Sequence, residues 1–376
     1  MRLIRFAQNQ ISDNDWSFEE VYFDRTNLLV GDSATGKTRF MNGVVNFFRL
    51  LVADRIMYSG DWDVDFEILD SKYNYKLKTI MNDISINGLI IYSEELTNLS
   101  NNIKLFHRNE NEIIWQDAHL PKLSSDKTCF SLLKEEDLIK PLYQNLEKII
   151  ARRFYDDELS KNFSLGALIP DIENSLINSK NIQRLTVANI DFHNKINILK
   201  KIDLNGFNKV VDLIKTTFHF IEKADVLNIS QVIPAFNVPI QTPVFCIQEK
   251  NIPNWIPCND ISSGMQKLFL LIFDTYLLRD SGILFIDEYE NSLGINAINF
   301  LPDLINSISD NCQFIITSHH PYIINTIPIE AWKVFHRKGT NVTITPGKAL
   351  KERYSKSKQE YFIQLINDPL YNGGIE

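Results

Sequence analysis

The chain has 376 residues, of which 44% are apolar, and a formal net charge of −8. This length provides one large or two ordinary domains with a sizeable core, and the acidic surface as a whole does not indicate nucleic-acid binding. No apolar run approaches the ~18 residues that span a bilayer, and we expect no signal peptide at the N-terminus. The four cysteines lack C-x-x-C spacing, which favours reduced thiols in a cytoplasmic protein over a zinc site or a disulfide framework.

The first 120 residues predict one half of an α/β domain. Strands are expected at 3–6, 16–23 and 27–30, followed by a glycine-containing loop and a helix that begins near Lys37. β-Forming residues then cluster between polar turns, which predicts an accessory antiparallel sheet. Its strands are expected at 63–69, 73–80, 89–92, 103–107 and 113–115.

The loop before this helix reads GDSATGKT and matches the phosphate-loop pattern G-x-x-x-x-G-K-[ST] at every fixed position. Its backbone N–H groups and the dipole of the following helix attract phosphate. The pattern predicts that Lys37 reaches the β- and γ-phosphates of ATP and that Thr38 binds Mg²⁺. We expect nucleotide contacts from Gly31, Asp32, Ser33, Ala34, Thr35, Gly36, Lys37, Thr38 and Arg39.

Helical periodicity predominates between 121 and 243, for example over 135–154 and 194–224. The segments are too short for a long coiled coil, which needs at least ~3–4 sustained heptads. We therefore predict a compact helical insertion over 121–243. Residues 244–345 would complete the domain that 1–120 begins, and 346–376 would form a basic C-terminal tail.

The apolar run ILFI precedes Asp287 and Glu288. Such a run suits a fully buried parallel strand, and α/β sheets place their ligands at the carboxyl ends of these strands. Asp287 is suited to hold Mg²⁺ through water, and Glu288 to orient or deprotonate an attacking water. A buried strand followed by surface acids explains the pattern equally well in isolation, but the phosphate loop favours the site.

Two further motifs have both a structural and a functional interpretation. ISSGMQK precedes an apolar helix, so Ser262 is either a helix cap or, with Gly264, part of a γ-phosphate site at the helix start. TSHHP follows an apolar strand at 314–316, so His319 either contacts the γ-phosphate or attacking water, or is a partly exposed loop residue. Shared metal binding by His319 and His320 is disfavoured, because adjacent residues rarely reach one metal.

Taken in order, the phosphate loop, long insertion, SSG motif, ILFIDE, ENSLG and S-H-H-P resemble the ABC-type ATPase heads of SMC, RecF-like and OLD-like proteins. The chain most resembles the stand-alone bacterial AAA-family ATPases of the AAA-15/AAA-21 type found in phage-defence and retron systems. The resemblance covers about 1–60 and 245–330. It implies an α/β fold: an ABC-ATPase-like P-loop head, with a mixed sheet and an accessory antiparallel sheet, interrupted by a compact helical insertion.

The resemblance also implies roles for individual residues. Two subunits would hold ATP and Mg²⁺ between them in a head-to-tail homodimer or higher oligomer. The signature motif of one subunit, formed by Ser262, Ser263 and Gly264, would contact the γ-phosphate of ATP bound to the other. Glu288 would be the catalytic base, His319 the switch histidine, and 290–294 the D-loop at the dimer interface.

The chain departs from the family pattern at several of these positions. Ser263 and Met265 stand where the usual signature has glycine and Gln or Glu, and His320 replaces a common serine. Residues 32–35 lack the frequent N-G-S. These departures bear on the rate of hydrolysis more than on ATP binding.

Two biological roles remain open from the sequence. In the first, the chain is a sensor or regulatory ATPase of a bacterial anti-phage defence complex. Its insertion is too short for an SMC arm, and 320–376 are too few residues for the TOPRIM nuclease of OLD-type proteins. The effector, for example a nuclease, would then be a separate chain.

In the second role, the chain is a RecF- or SMC-like DNA-repair ATPase that clamps duplex DNA. The segment 333–358 carries eight basic residues and one acid, Glu352, and such a strip suits phosphate contacts that weaken with salt. It also suits a solvated face or a dock for an acidic partner. An ATPase subunit of a membrane transporter and a hexameric ring ATPase fit less well, because the first lacks a large helical insertion and the second leaves the SSG motif unexplained.

Overall fold

The computed structural model describes residues 1–12, 15–52, 59–81, 89–109, 112–121, 123–146, 148–153, 156–233, 242–291, 293, 298–307, 312–354 and 361–372. The chain divides into two compact units. The phosphate-loop unit comprises Met1–Ala151, Ser281–Asp287 and Gln313–Glu376, and the signature unit comprises Arg152–Asp280 and Glu288–Cys312.

The strands, in chain order, are β1 Arg2–Asn9, β2 Ser17–Tyr22, β3 Thr26–Val30, β4 Gly60–Ile68, β5 Ser71–Met81, β6 Leu89–Asn98, β7 Ile103–Arg108, β8 Ile113–Trp115, β9 Ala118–His119, β10 Ile149–Arg152, β11 Ile221–Asn228, β12 Pro243–Glu249, β13 Ile256–Pro257, β14 Gly282–Ile286, β15 Cys312–Thr317, β16 Trp332–Lys338 and β17 Asn341–Pro346.

The helices are α1 Lys37–Val52, α2 Cys129–Leu132, α3 Lys140–Leu146, α4 Asp156–Asn162, α5 Pro170–Ser179, α6 Ile182–Val187, α7 Phe192–Ile202, α8 Leu204–Thr217, α9 Ile229–Val232, α10 Ser263–Leu277, α11 Phe300–Ser307, α12 Pro321–Thr326, α13 Tyr361–Asn367 and α14 Pro369–Asn372. Short 3₁₀ turns lie at Ile329–Ala331 and Gly347–Ala349. No helix among the described residues is long and apolar enough to cross a membrane.

One large sheet organises the phosphate-loop unit. Within the described residues its strand order is β10-β14-β15-β3-β16-β17-β2-β1-β4-β5-β6-β7-β8-β9. β3 pairs in parallel with β15 and with β16, whereas β4 to β9 form antiparallel hairpins. The predicted mixed sheet with an accessory antiparallel part is therefore confirmed.

Apolar runs explain why the central strands lie inside this sheet. β14 and β15 are buried along their whole length, as is expected for strands covered on both faces. On β4 burial alternates instead, so that Trp62, Val64 and Phe66 are buried. The acids between them, Asp63 and Asp65, accept hydrogen bonds from Arg5 of the neighbouring β1.

Phe40 anchors helix α1 on the sheet. Its ring meets those of Phe6, Phe18 and Phe335 edge to face, each at a centroid distance of 5.3 Å. Truncating such a buried ring typically costs about 3–5 kcal/mol. This packing fixes the start of α1, and with it the phosphate loop, relative to β1, β2 and β16.

The signature unit is mainly helical and contains a second, antiparallel sheet in the order β11-β12-β13. Phe192 of α7 connects the helices of this unit to its sheet, since its ring contacts Phe245 of β12 and Phe273 of α10. Arg152 makes two hydrogen bonds to the buried carboxylate of Asp274 on α10, at 2.6 and 2.9 Å. These contacts hold α10 inside the unit.

Two helical predictions were wrong in part. The segment predicted as helical over 135–154 contains α3 followed by strand β10, whose neighbour in the large sheet is β14. The segment 194–224 ends in β11 rather than in helix. β10 is a short apolar run beside the distant β14, and helical periodicity cannot be distinguished from a buried strand in so short a run. β11 pairs instead with the next strand in the chain, β12. The functional division at 120, 243 and 345 stays a prediction.

A candidate nucleotide site at the phosphate loop

The phosphate loop connects β3 to α1 through a backbone that requires glycine at two positions. Gly31 and Gly36 have φ angles of 153° and 102°. A Cβ atom on Gly36 would lie 2.7 Å from the Trp16 ring, and one on Gly31 would lie 2.8 Å from the carbonyl oxygen of Phe335. The loop thus uses both the backbone freedom and the missing side chain of these glycines.

Lys37, the first residue of α1, closes the loop. Its side chain is buried, and its Nζ donates to the carbonyl oxygens of Gly31 at 2.8 Å and Asp32 at 2.9 Å. Asp32 further organises the turn, because its carboxylate accepts from the Ser33 N–H and its carbonyl accepts from the Thr35 hydroxyl. Asp32, Ser33 and Ala34 are exposed at the tip. An exposed loop with a lysine ammonium at its base and a helix start behind it fits a bound polyphosphate.

Asp287 lies at the same edge of the sheet and links two hydroxyls. Its carboxyl group is buried, and Oδ1 accepts from Thr38 at 3.2 Å and from Thr317 at 2.7 Å. Thr38 is the last residue of the phosphate loop, Asp287 follows β14, and Thr317 ends β15. Carboxylate and hydroxyl oxygens are the hard ligands that Mg²⁺ prefers, so this donor set fits that ion.

Thr317 was not identified in the sequence analysis. It begins the TSHHP motif, and its register partner Leu29 in parallel β3 places it near the end of the strand that carries the phosphate loop. Its position as the last residue of an apolar strand was the available signal.

The two adjacent histidines have different surroundings. His320 caps α12, because its Nδ1 accepts from the Tyr322 N–H at 3.2 Å while its own N–H donates to Ser318. His319 is half-buried in the turn after β15. His319, the histidine predicted to contact the nucleotide, is therefore the one that does not cap α12.

Trp16 packs on the loop between two arginines. The guanidinium carbon of Arg39 lies 4.4 Å from the ring centroid, and that of Arg337 lies 4.9 Å from it. A cavity of about 230 Å³ adjoins Trp16 and Arg39 and is lined in part by the amides of Asn42 and Asn46. Arg39 was predicted as a nucleotide contact, and Arg337 was predicted only as part of the basic strip 333–358. Trp16 was not singled out, because it belongs to no recognised motif.

The signature residues start helix α10 in the signature unit. Ser262 is the N-cap, with its hydroxyl accepting from the Met265 N–H at 3.4 Å. Ser262 and Ser263 are exposed, and Gly264 is half-buried. Ser262 therefore caps the helix, as one of the two interpretations predicted. Because these residues are exposed at the start of a long helix, they are also accessible to an anion.

The boundary between the two units falls between Asp287 and Glu288. Glu288 is exposed and has a φ angle of 49°, a conformation that is uncommon for a residue with a long side chain. The turn continues with a hydrogen bond from the Asn291 N–H to the Glu288 carbonyl oxygen at 2.9 Å. Of the predicted D-loop, residues 292 and 294 lie outside the described residues.

Many charges of the predicted basic strip have acidic partners. Lys333 is buried and lies 3.5 Å from Asp24. Further ion pairs link Lys348 to Asp24, Lys351 to Glu330 and Arg353 to Asp368. Lys356 and Lys358 lie outside the described residues. Binding of nucleic acid by 333–358 stays a prediction. Because several of its basic side chains form ion pairs, fewer positive charges are available to phosphate than the sequence suggests.

Comparison with solved structures identifies the fold. The crystal structure of an SmcHead bound to the C-winged helix domain of ScpA matches with a TM-score of 0.52 and 10% identity, covering 92% of this chain and 98% of that chain. The SMC head domain from Thermotoga maritima matches with a TM-score of 0.43 and 12% identity, covering 92% and 99%. The first match shows that the chain has the fold of an SMC-like ABC ATPase head.

Residues 27–325 match the family model described as "AAA domain, putative AbiEii toxin, Type IV TA system". The chain belongs to this family of AAA ATPases, and membership implies nucleotide binding. A search of curated proteins finds no match to the sequence.

Proposed function

We propose that this protein binds and hydrolyses ATP with Mg²⁺ at the phosphate loop. The observation that carries the proposal is the buried Asp287 carboxylate that joins Thr38 to Thr317 beside the loop closed by Lys37. A phosphate cradle next to oxygen donors is the arrangement on which phosphoryl transfer to water depends.

The proposed roles follow from the chemistry of each group. Lys37 and the loop N–H groups bind the phosphates, and Thr38 and Asp287 hold Mg²⁺. When bound, the ion neutralises charge that develops on the phosphate oxygens. Glu288, the next residue in the chain, orients or deprotonates the attacking water. His319 donates a hydrogen bond to the γ-phosphate.

The exposed signature residues support a head-to-tail dimer with ATP between the subunits. Ser262, Ser263 and Gly264 present a helix start that would bind the γ-phosphate of ATP held by a second copy. ATP then stabilises the dimer, because binding energy for the nucleotide is gained from both subunits. Hydrolysis would weaken the dimer and couple the nucleotide state to assembly.

We further propose that the ATPase is the sensor or regulatory subunit of a cytoplasmic bacterial anti-phage defence complex with a separate effector, for example a nuclease. Support comes from the family description, which names a putative toxin of a type IV toxin–antitoxin system. The SMC head in the matched structure is bound to a domain of another protein, ScpA, which provides a precedent for a separate partner on this fold.

The alternative is a RecF- or SMC-like ATPase that clamps DNA. The basic residues of 333–358 favour it, and the ion pairs to Glu330 and Asp368 reduce the charge available for phosphate. This alternative predicts DNA binding that weakens steeply with salt. Absence of binding at low salt would count against it.

The test begins with ATP hydrolysis by the purified wild-type protein and by Lys37→Ala. Tagged Glu288→Gln is then purified from the native host with ATP and Mg²⁺, and all co-purifying molecules are identified. A stoichiometric nuclease or other toxic protein supports the defence role, whereas DNA without a protein partner supports the clamp. Equal hydrolysis by wild type and Lys37→Ala contradicts the ATPase itself.

A further inference from the structure

A buried lysine connects the signature helix to the turn that begins with Glu288. Lys267 lies on α10, three residues after Gly264, and its side chain has no exposed surface. Its Nζ donates to the carbonyl oxygens of Tyr289 and of Asn291, the latter at 2.6 Å, and lies 3.5 Å from that of Glu288. The ammonium also lies 5.3 Å from the centroid of the Tyr289 ring.

Burial of a charged amine is unfavourable, and desolvation lowers the pKa of Lys267 to about 7, although Glu290 and Glu288 act in the opposite direction. A methionine of similar length would remove that penalty, but it would leave the carbonyl oxygens of Tyr289 and Asn291 without their donor. The carbonyl contacts therefore indicate a role in geometry.

The turn itself shows what that role is. Glu288 has a positive φ angle of 49°, and such a conformation persists only where the surroundings determine it. Carbonyl oxygens of three residues, Glu288, Tyr289 and Asn291, converge on one ammonium. Because the ammonium holds the backbone, it also fixes the direction in which the exposed Glu288 side chain leaves the turn.

We propose that Lys267 is a positioning residue whose ammonium locks the turn 288–291 to helix α10, so that Glu288 and the signature residues Ser262–Gly264 form one rigid piece. The proposal rests on the proposed function of Glu288 in hydrolysis. Lys267 itself touches no phosphate. Through this lysine, the signature helix and the group that acts on water keep a constant separation within one subunit.

The test is Lys267→Met, which keeps the length of the side chain and removes the ammonium. Displacement of a reacting group by about 1 Å costs on the order of 100-fold in rate, so we expect kcat to fall by about this factor. The affinity for a fluorescent ATP analogue should change less than about threefold, because the substitution leaves the residues that bind ATP in the ground state in place. Lys195→Met is the matched control, because Lys195 is half-buried in the same unit and its charge interacts with Arg152 and Asp274; it should keep kcat.

A second readout separates positioning from general damage. If Lys267 acts through Glu288, the double variant Lys267→Met/Glu288→Gln should be no slower than Glu288→Gln alone, because the two changes remove the same contribution. Amide hydrogen exchange of the turn 288–291, measured without nucleotide, should accelerate in Lys267→Met and not in Lys195→Met. This readout does not depend on turnover.

The outcomes are distinguishable. A kcat of Lys267→Met near that of the wild type, or losses that multiply in the double variant, overturns the positioning role. A wild-type kcat of Glu288→Gln overturns the proposed function of Glu288 instead. If Lys267→Met does not fold, Lys267→Arg, which retains a cationic donor, is measured by the same assays; unaltered kcat with accelerated exchange of the turn contradicts the proposal, and a parallel loss supports it.

Discussion

Each unit of this protein contains a buried lysine near the start of a helix, and each lysine donates to backbone carbonyls. Lys37 reaches acceptors five and six residues earlier in the chain. Lys267 reaches acceptors 21 to 24 residues later. The first lysine closes a local loop whose tip is exposed, whereas the second joins two distant segments and is fully enclosed. We therefore propose that the same side chain serves ligand binding in one unit and backbone geometry in the other.

The largest expected effect distinguishes these two lysines. Lys37→Ala should reduce ATP affinity by about 100- to 10,000-fold, because hydrogen bonds to charged groups contribute about 1.5–3 kcal/mol each. Lys267→Met should leave the affinity nearly unchanged. Titration with a fluorescent ATP analogue measures both variants. Equal losses of affinity would contradict the different roles proposed for Lys37 and Lys267.

Glu288→Gln should lower kcat by about 100- to 1,000-fold, within the usual contribution of a general base, while ATP still binds. We expect an ATP-bound dimer to accumulate, since hydrolysis no longer releases it. Light scattering with and without ATP and Mg²⁺ measures the change. If the particle size of Glu288→Gln does not change with ATP, the variant does not accumulate an ATP-bound dimer and the prediction is wrong. The control is Lys37→Ala, whose size should not change.

The signature unit contains a buried ion pair between Arg152 and Asp274. Arg152→Met leaves the buried Asp274 carboxylate without its bidentate partner, which should destabilise the unit by about 3 kcal/mol or more. Arg153→Met, at the exposed neighbouring position, should change stability by less than about 0.5 kcal/mol. Urea unfolding of the two variants measures the difference.

The smallest effect concerns pH. Burial lowers the pKa of His193, whose ring accepts from the Phe245 N–H and lies 2.9 Å from Asn259. The unfolded chain takes up a proton near pH 6.5, whereas the folded chain resists protonation at this site. The stabilising contribution is thus complete above this pH and is lost as the pH falls, with a slope of at most about 1.4 kcal/mol per pH unit for one proton.

Denaturant unfolding of the wild type and of His193→Gln at several pH values measures this contribution. The variant should be less stable at pH 7.5 and should lose less stability between pH 6.5 and 5. Parallel curves for the two proteins would show that another group causes the pH dependence.

Features that depend on neighbouring residues in the chain were predicted correctly more often than features that depend on distant ones. The phosphate loop and the strand before Asp287 were identified because each is a contiguous pattern with a local physical cause. β10 was predicted as helix, because its pairing with β14 depends on a strand more than a hundred residues away. Thr317 and Trp16 were missed for the same reason, and so was the contact of Arg337 with Trp16, since these features depend on neighbours in space.

The sequence by itself determined the α/β class, the family resemblance and the position of Lys37 at the start of a helix. These features depend on residue type and spacing over a few turns, where backbone sterics and burial act locally. Only the tertiary structure decided that Thr38, Asp287 and Thr317 meet at one carboxylate oxygen, and that Lys267 binds the turn after Glu288. Such contacts arise from the pairing of β3 with β15 and from the packing of α10, and no local pattern encodes the registers and side-chain positions that produce them.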